Sequence, residues 1–253
     1  MILCEFFPDV CKGIEFKKGR IKEVYSIDRS EVLEFLKKKR KLVRGILINP
    51  GELFYEVTDK KFSRIAKNIV DEQFPDIKER RWQKFEDLKG RIHIASIDGT
   101  ELDFVRELVK TSRAQCEIID VSAFNVTNFV IKFYEGIKNG VVLNVTDEVT
   151  YAIYVKKRMP FWGNSFPTSE FPEFLKKQIN YVFSAAPEIK DSFKIYANFA
   201  SAGVVQDLGN LKENLKFDIV PIDPTGIAKN LKKSTDELPS AFTALIGLSL
   251  RFQ

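Results

Sequence analysis

Apolar positions open the chain in three short runs, over residues 1–6, 13–16 and 20–27, rich in β-branched and aromatic side chains. The last two are separated by Lys17-Lys18-Gly19, so the pattern predicts a strand meander around a glycine turn. The period then changes. Val32, Leu33, Phe35 and Leu36 recur at helical spacing, Asp28 or Ser30 can cap their start, and lysines crowd the far end, where the helix dipole favours them. A helix through Lys39 is predicted, then a buried strand at 42–48 stopped by Asn49-Pro50-Gly51.

From Glu52 the texture shifts. A short strand at 53–57 leads to a predicted helix at about 60–73, with Phe62, Ile65, Ala66, Ile69 and Val70 on one face, and then to Pro75. Strands follow at about 81–87 and 91–97, so this stretch reads as an inserted unit. Helices predicted at 100–111 and 122–136 flank a strand at 117–121. The second half restarts with a hairpin at 140–155, a third strand or turn at 159–162, a helix at 173–185 and a strand at 193–199. A short helix at 207–215, a strand at 217–222 and the break Asp223-Pro224 come next. The final element, 240–252, is almost uniformly apolar, and its Ala241, Ala244, Gly247 and Ser249 suit close packing. Two halves that each begin with a meander and continue into helix and strand suggest a duplicated α/β plan.

Composition narrows the chemistry more than the fold. With 253 residues and 44% hydrophobic content, the chain can bury one large core or two smaller lobes. No apolar run approaches the roughly eighteen residues of a membrane span, and Glu5 and Asp9 fall where a signal peptide needs an apolar centre. The expectation is a soluble cytoplasmic protein. Cys4, Cys11 and Cys116 give an odd count without C-x-x-C spacing, which argues against a disulfide framework or a zinc site. His93, the only histidine, lies in an alternating run and reads as a partly exposed strand residue, which removes most metal and triad chemistry. The net charge of +5 is spread along the chain, with clusters at 37–41 and at Glu79-Arg80-Arg81. Nucleic-acid binding calls for a concentrated stripe with interleaved aromatics; attraction to an acidic membrane surface or partner fits at least as well.

The segment Asn144-Val145-Thr146-Asp147-Glu148-Val149-Thr150 lies between apolar runs and has the outline of a phosphate hairpin without its working parts. Such a hairpin, in proteins of the actin and heat-shock chaperone type, carries acid-x-Gly and a Thr six residues after the acid, so that backbone N–H groups can cradle phosphate. Here Asn144 stands at the acid, Thr146 at the glycine, and Thr150 alone remains. A plain β-hairpin with an Asp-Glu turn has the same look.

Four stretches, in order, carry a wider likeness: Asn68-Ile69-Val70-Asp71-Glu72-Gln73-Phe74-Pro75; Ile118-Ile119-Asp120-Val121-Ser122-Ala123-Phe124-Asn125; the hairpin region 141–162; and Val220-Pro221-Ile222-Asp223-Pro224 with the closing segment 241–251. Together they resemble the PilM family of type IV pilus assembly proteins, cytoplasmic members of the actin-like ATPase superfamily related to FtsA. The resemblance covers nearly the whole length. It implies an α/β, actin-like (ribonuclease H-like) duplicated two-lobe fold with an FtsA/PilM-type inserted subdomain and a reduced second lobe. The first lobe would comprise 1–50 and 117–139, the inserted partner-binding subdomain 51–116, the second lobe 140–237, and a C-terminal helix at 238–253 would pack back on the first lobe.

Departures from the family pattern shape the functional expectation. Its first phosphate loop has Asp-x-Gly followed by Lys, and the register puts Glu5, Phe7 and Lys12 at those positions. Phe7 brings a side chain where phosphate must approach backbone. The Gly-Gly of the adenosine loop falls at Phe199-Ala200, and only 163–172 stands where the family has a helical insertion walling the nucleotide cleft. The expectation is a pseudo-ATPase that is not an enzyme, without cofactor or metal, in which Lys12 and Thr150 are vestigial phosphate-loop positions and Glu5 and Asp147 the carboxylates left for magnesium.

The resemblance further implies a cytoplasmic scaffold of a type IV pilus or related secretion platform, at the inner face of the inner membrane, binding the tail of a PilN-like membrane protein. Phe54, Tyr55, Phe62 and Trp82 are the candidate anchors for that tail, since aromatics dominate such contacts, although they also suit a core. It allows a motor ATPase and a second copy of the chain as further partners, and no nucleic acid. Two other readings stand beside it: the cytoplasmic domain of a type II secretion L-type protein recruiting the secretion ATPase, and an active actin-like ATPase with unusual loops.

Overall fold

The computed structural model describes residues 1–59, 80–185, 187–200, 217–228 and 239–252. The opening meander is β1 (Ile2–Phe6), β2 (Val10–Lys17) and β3 (Arg20–Asp28), followed by a 3-10 turn and α1 (Val32–Lys39), then β4 (Val43–Ile48). An excursion through β5 (Leu53–Asp59), β6 (Arg80–Glu86) and β7 (Arg91–Asp98) leads to α2 (Thr100–Ser112), β8 (Ile118–Val121) and α3 (Ser122–Phe133). The second half runs β9 (Asn139–Val145), β10 (Val149–Lys156), β11 (Met159–Pro167), α4 (Phe171–Ala185), β12 (Phe193–Phe199), β13 (Ile219–Pro221) and α5 (Thr243–Ser249). The expected helices at 60–73 and 207–215, and with the first of them Phe62, lie outside the described residues.

The first sheet has the order β3-β2-β1-β4-β8, with an antiparallel meander on one side and parallel strands on the other. Within the second sheet, β11-β10-β9-β12-β13 repeats that order and those directions. The duplication reaches the turns. Lys18 and Gly19 join β2 to β3 with φ of 51° and 73°, and Lys157 and Arg158 join β10 to β11 with 52° and 61°. Two successive positive φ values match the twist of a two-residue hairpin. The second turn lacks glycine, which costs about 1–2 kcal/mol per residue; Arg158 is held there by its backbone N–H on the Lys138 carbonyl at 3.0 Å and its guanidinium on the carbonyls of Ile131 and Glu135.

The inserted strands extend the second sheet. β5 pairs with β11 through Trp162↔Glu56, Gly163↔Tyr55 and Asn164↔Phe54, and β7 and β6 follow outward. Residues 163–167, expected as a connector, are therefore strand: β10 pairs with all five, and β5 pairs with Gly163 and Asn164 from the other side. The other face of the insertion meets the first lobe: Leu53 joins the core of Ile2, Phe6 and Ile48, and the Tyr55 ring meets Phe124 of α3 at 5.0 Å. α5 is buried throughout and packs on α3 and β1, where Leu245 and Leu248 join Val126, Phe129, Val142 and Tyr196 in a core drawn from both lobes.

Candidate functional site

Two concave regions flank the carboxyl ends and the β8 edge of the first sheet. The first lies between the turns that follow β1 and β9. It is a cleft of about 360 Å³ lined by Phe7, Pro8, Arg29, Thr146 and Glu148, with Asn49 and Glu101 on its walls. The Lys12 ammonium donates to the Ala200 carbonyl at 3.2 Å and lies 5.2 Å and 5.8 Å from the Phe7 and Phe242 ring centres. Asn144 accepts from the Asn198 amide at 2.8 Å. The Thr146 hydroxyl donates to the Val149 carbonyl at 2.8 Å and accepts from the Val149 N–H at 3.1 Å, closing the turn on itself. Thr150 is buried and shares a 3.1 Å hydrogen bond with Thr168, whose hydroxyl donates to the Thr146 carbonyl.

Glu5 is 1% exposed, accepts from Asn49 at 3.2 Å, and has its carboxyl pushed up by burial. A raised carboxyl favours folding below the unfolded value near 4.5 and loses that contribution as pH rises through the folded value. Glu5→Gln is therefore expected to stabilise the chain progressively above pH 4.5, read as the difference in urea midpoint between variant and wild type across pH.

The second region is a groove of about 380 Å³ between the first lobe and the insertion. Ile119 and Asp120 of β8 form one side, Leu102 and Arg106 of α2 the next, and Gln83 of β6 with Ile97 of β7 the last. β8 pairs with β4 alone among the described strands and ends the first sheet, and its Ile119, Asp120 and Val121 line the groove. Asp120 is held by Arg251 at 2.9 Å and by the Asn125 amide at 3.1 Å.

No protein-family model and no curated protein matches the sequence. Among solved structures, the chain is similar to the PilM-PilN type IV pilus biogenesis complex, with 14% identity over 99% of this chain and 97% of that one and a TM-score of 0.66. It is also similar to a Bacteroides thetaiotaomicron protein with an actin-like ATPase fold and unknown function, with 10% identity over 98% and 94% and a TM-score of 0.57. The repeated sheet order and these superpositions agree. The chain has the actin-like ATPase fold.

In that fold the cleft between the two turns is where a magnesium nucleotide is looked for, and the residues present do not fit one. Phosphate binding at a turn needs unobstructed backbone N–H groups and an available cation; Phe7 stands at one turn, the Val149 N–H is taken by Thr146, and Lys12 bonds a carbonyl of the other lobe. Magnesium needs ionised carboxylates; burial pushes Glu5 toward its neutral form, Asn144 replaces the second acid, and among the other carboxylates lining the cleft Glu101 is paired with Arg29 at 2.8 Å and Glu148 is exposed. Among the described residues no group of His, Cys, Asp and Glu could hold a metal ion.

The described anchors expected from the actin-like resemblance stand away from the groove. Phe54 and Tyr55 are 5% and 6% exposed, and Trp82 packs against Ile92 and Ile94. Because Gln83 lines the groove, its neighbour Trp82 stands on the opposite face of β6. Ile97, Leu102 and Ile119 supply the apolar lining instead. The edge position of β8 depends on strand order, which local periodicity does not encode.

His93 is not the partly exposed residue its alternating run predicts. It is 8% exposed, stacked at 4.5 Å under Phe85, and holds the Tyr55 hydroxyl at 2.8 Å and the Asp87 carboxylate at 3.1 Å. Arg91 beside Asp87 holds that carboxyl well below its usual range, and burial pushes the Tyr55 hydroxyl up to about 12. The trio braces the insertion against α3. His93→Phe keeps the ring but strands the Tyr55 hydroxyl, with an expected loss of about 1–3 kcal/mol measured by urea unfolding.

Proposed function

We propose that the chain is a non-enzymatic scaffold of a type IV pilus or related secretion assembly platform, which holds the extended cytoplasmic tail of a PilN-like inner-membrane protein in the groove beside β8. The groove itself is the observation that carries this reading. Among the described residues the outer edge of β8 is unpaired, and such an edge offers main-chain hydrogen bonds to an extended peptide, while the side chains of Ile97, Leu102 and Ile119 offer apolar pockets beside it. The likeness to the PilM-PilN complex supports the same reading.

The chain acts at the inner face of the membrane through that partner, as a pseudo-ATPase. Lys12 supports the second part, since its ammonium bridges the lobes at Ala200. Among the described residues no helix is long and apolar enough to cross a membrane. The test is calorimetric titration of the purified chain with magnesium-ATP and, separately, with the N-terminal tail of a PilN-like protein from the same genome. Saturable peptide binding without nucleotide binding is the expected result; saturable nucleotide binding that Lys12→Ala abolishes overturns the pseudo-ATPase, and absence of peptide binding overturns the scaffold.

A further inference from the structure

The end of the first lobe opposite the cleft gathers the chain's positive charge. β1 and β4 run parallel and point their carboxyl ends at the cleft, so the helices that return beside them finish at the other end. Lys39 closes α1 against the meander, its ammonium 3.2 Å from the Tyr25 hydroxyl and 3.6 Å from Glu15. The β2–β3 turn reaches the same place, because Glu15 pairs with Ile2, the first residue of β1, and the Phe16 N–H donates to the Met1 carbonyl at 2.7 Å. The end of α2 is tied in by the Gln115 N–H on the Arg40 carbonyl at 2.8 Å.

Sequence fills that end with cations. The turn supplies Lys17, Lys18, Arg20 and Lys22, α1 runs out through Lys37-Lys38-Lys39-Arg40-Lys41, and α2 ends near Lys110 and Arg113. Against them stand Glu15, Glu23, Glu34 and Glu107, so this end holds more positive charge than the +5 of the whole chain. Glu15 is buried and already bonded by Lys22 and Tyr25. Lys17, Lys18, Arg20, Lys38, Arg40 and Lys41 are exposed, and Leu42 among them is 41% exposed.

We propose that this face docks directly on the anionic surface of a phospholipid bilayer. Lysines around an exposed leucine suit the diffuse charge and apolar margin of a headgroup layer. A nucleic-acid surface would present aromatic rings for stacking; the aromatics at this end, Phe16, Tyr25 and Phe35, are each partly buried, and Tyr25 is closed in by Phe35 at 5.1 Å and by Lys39. The proposal goes beyond the peptide groove and stands without it.

The test is co-sedimentation of the full chain with vesicles of phosphatidylcholine alone, or with about a third phosphatidylglycerol, at about 0.05 M and about 0.5 M salt. Binding is expected to the anionic vesicles at low salt and to be lost at high salt. Each basic residue near an anionic leaflet is worth about fivefold in partition, so the combined Lys17→Glu, Arg20→Glu, Lys38→Glu, Lys41→Glu variant is expected to bind more than about fiftyfold more weakly. A matched reversal on the second lobe, at the exposed Lys176, Lys177, Lys190 and Lys194, is expected to retain most binding. Equal binding to neutral vesicles, equal loss in the two variants, no loss in the first, or tighter binding to a short DNA duplex than to anionic vesicles would each overturn the proposal.

Discussion

Gly247→Val is expected to destabilise the chain by about 3 kcal/mol or more, the upper end of the range for overpacking a close contact. A Cβ at Gly247 would lie 2.1 Å from the Asn125 carbonyl oxygen and 2.8 Å from its carbon. Both obstacles are backbone of α3 and cannot rotate away. Asn125 is itself fixed, its side-chain amide donating to Asp120 at 3.1 Å and to the Val121 carbonyl at 3.0 Å. Behind α5, Leu248 already presses on Gly45 of β4, where an added Cβ would meet its side chain at 2.8 Å. The helix can relieve the clash only by leaving α3, which opens the core shared by Phe129, Val142 and Tyr196. Urea unfolding measures the loss, with Gly247→Ala expected to fall between valine and wild type. A valine variant within about 0.5 kcal/mol of wild type, the range of an innocuous surface change, would show that α5 does not approach α3 this closely.

That contact was half legible. The small residues at Ala241, Ala244, Gly247 and Ser249 announce close packing in an otherwise apolar element, but which backbone they meet depends on a fold closing over more than a hundred residues. The same division runs through the molecule. Short apolar runs located β12 and the opening meander, because each run lies within its own strand. The same reading missed the far half of β11, where Gly163-Asn164-Ser165-Phe166 has no clean alternation and is strand because β10 pairs along all four, with β5 adding Gly163 and Asn164.

The cleft divides in a comparable way. That Phe7, Asn144 and Thr146 depart from the bare backbone and acid of a phosphate turn is visible from residue type alone. The destination of Lys12 could not, because its acceptor is the Ala200 carbonyl of the other lobe. His93 shows the limit for a single residue. Its strand was readable, but its burial comes from Phe85 on the paired strand and from Tyr55 across the sheet. The described aromatic anchors show a complementary limit: aromatics dominate interfaces and cores alike, and the face on which Trp82 packs against Ile92 and Ile94 depends on the pairing of β6 with β7.

Ile119→Lys is expected to weaken binding of the PilN-like tail by about thirtyfold, the loss of roughly 2 kcal/mol that marks a buried anchor position. Ile119 sits midway along β8 on the floor of the groove, half-buried between Ile97 and Leu102. An extended peptide laid against that edge must put an alternate side chain near this point, and an ammonium there replaces an apolar contact with a group that resists desolvation. The fold should survive, since a lysine stem can lie along the groove and carry its charge to the open side. Arg106→Ala, at the exposed rim, is expected to cost less than about threefold, in line with the small worth of rim charges. The measurement is the peptide titration repeated on both variants, with urea midpoints confirming that each is folded. If Ile119→Lys binds as tightly as wild type while the wild-type chain does bind, the tail lies elsewhere and the free edge of β8 is not its site; if Arg106→Ala proves the more damaging, recognition rests on charge at the rim and the apolar floor is only part of the core.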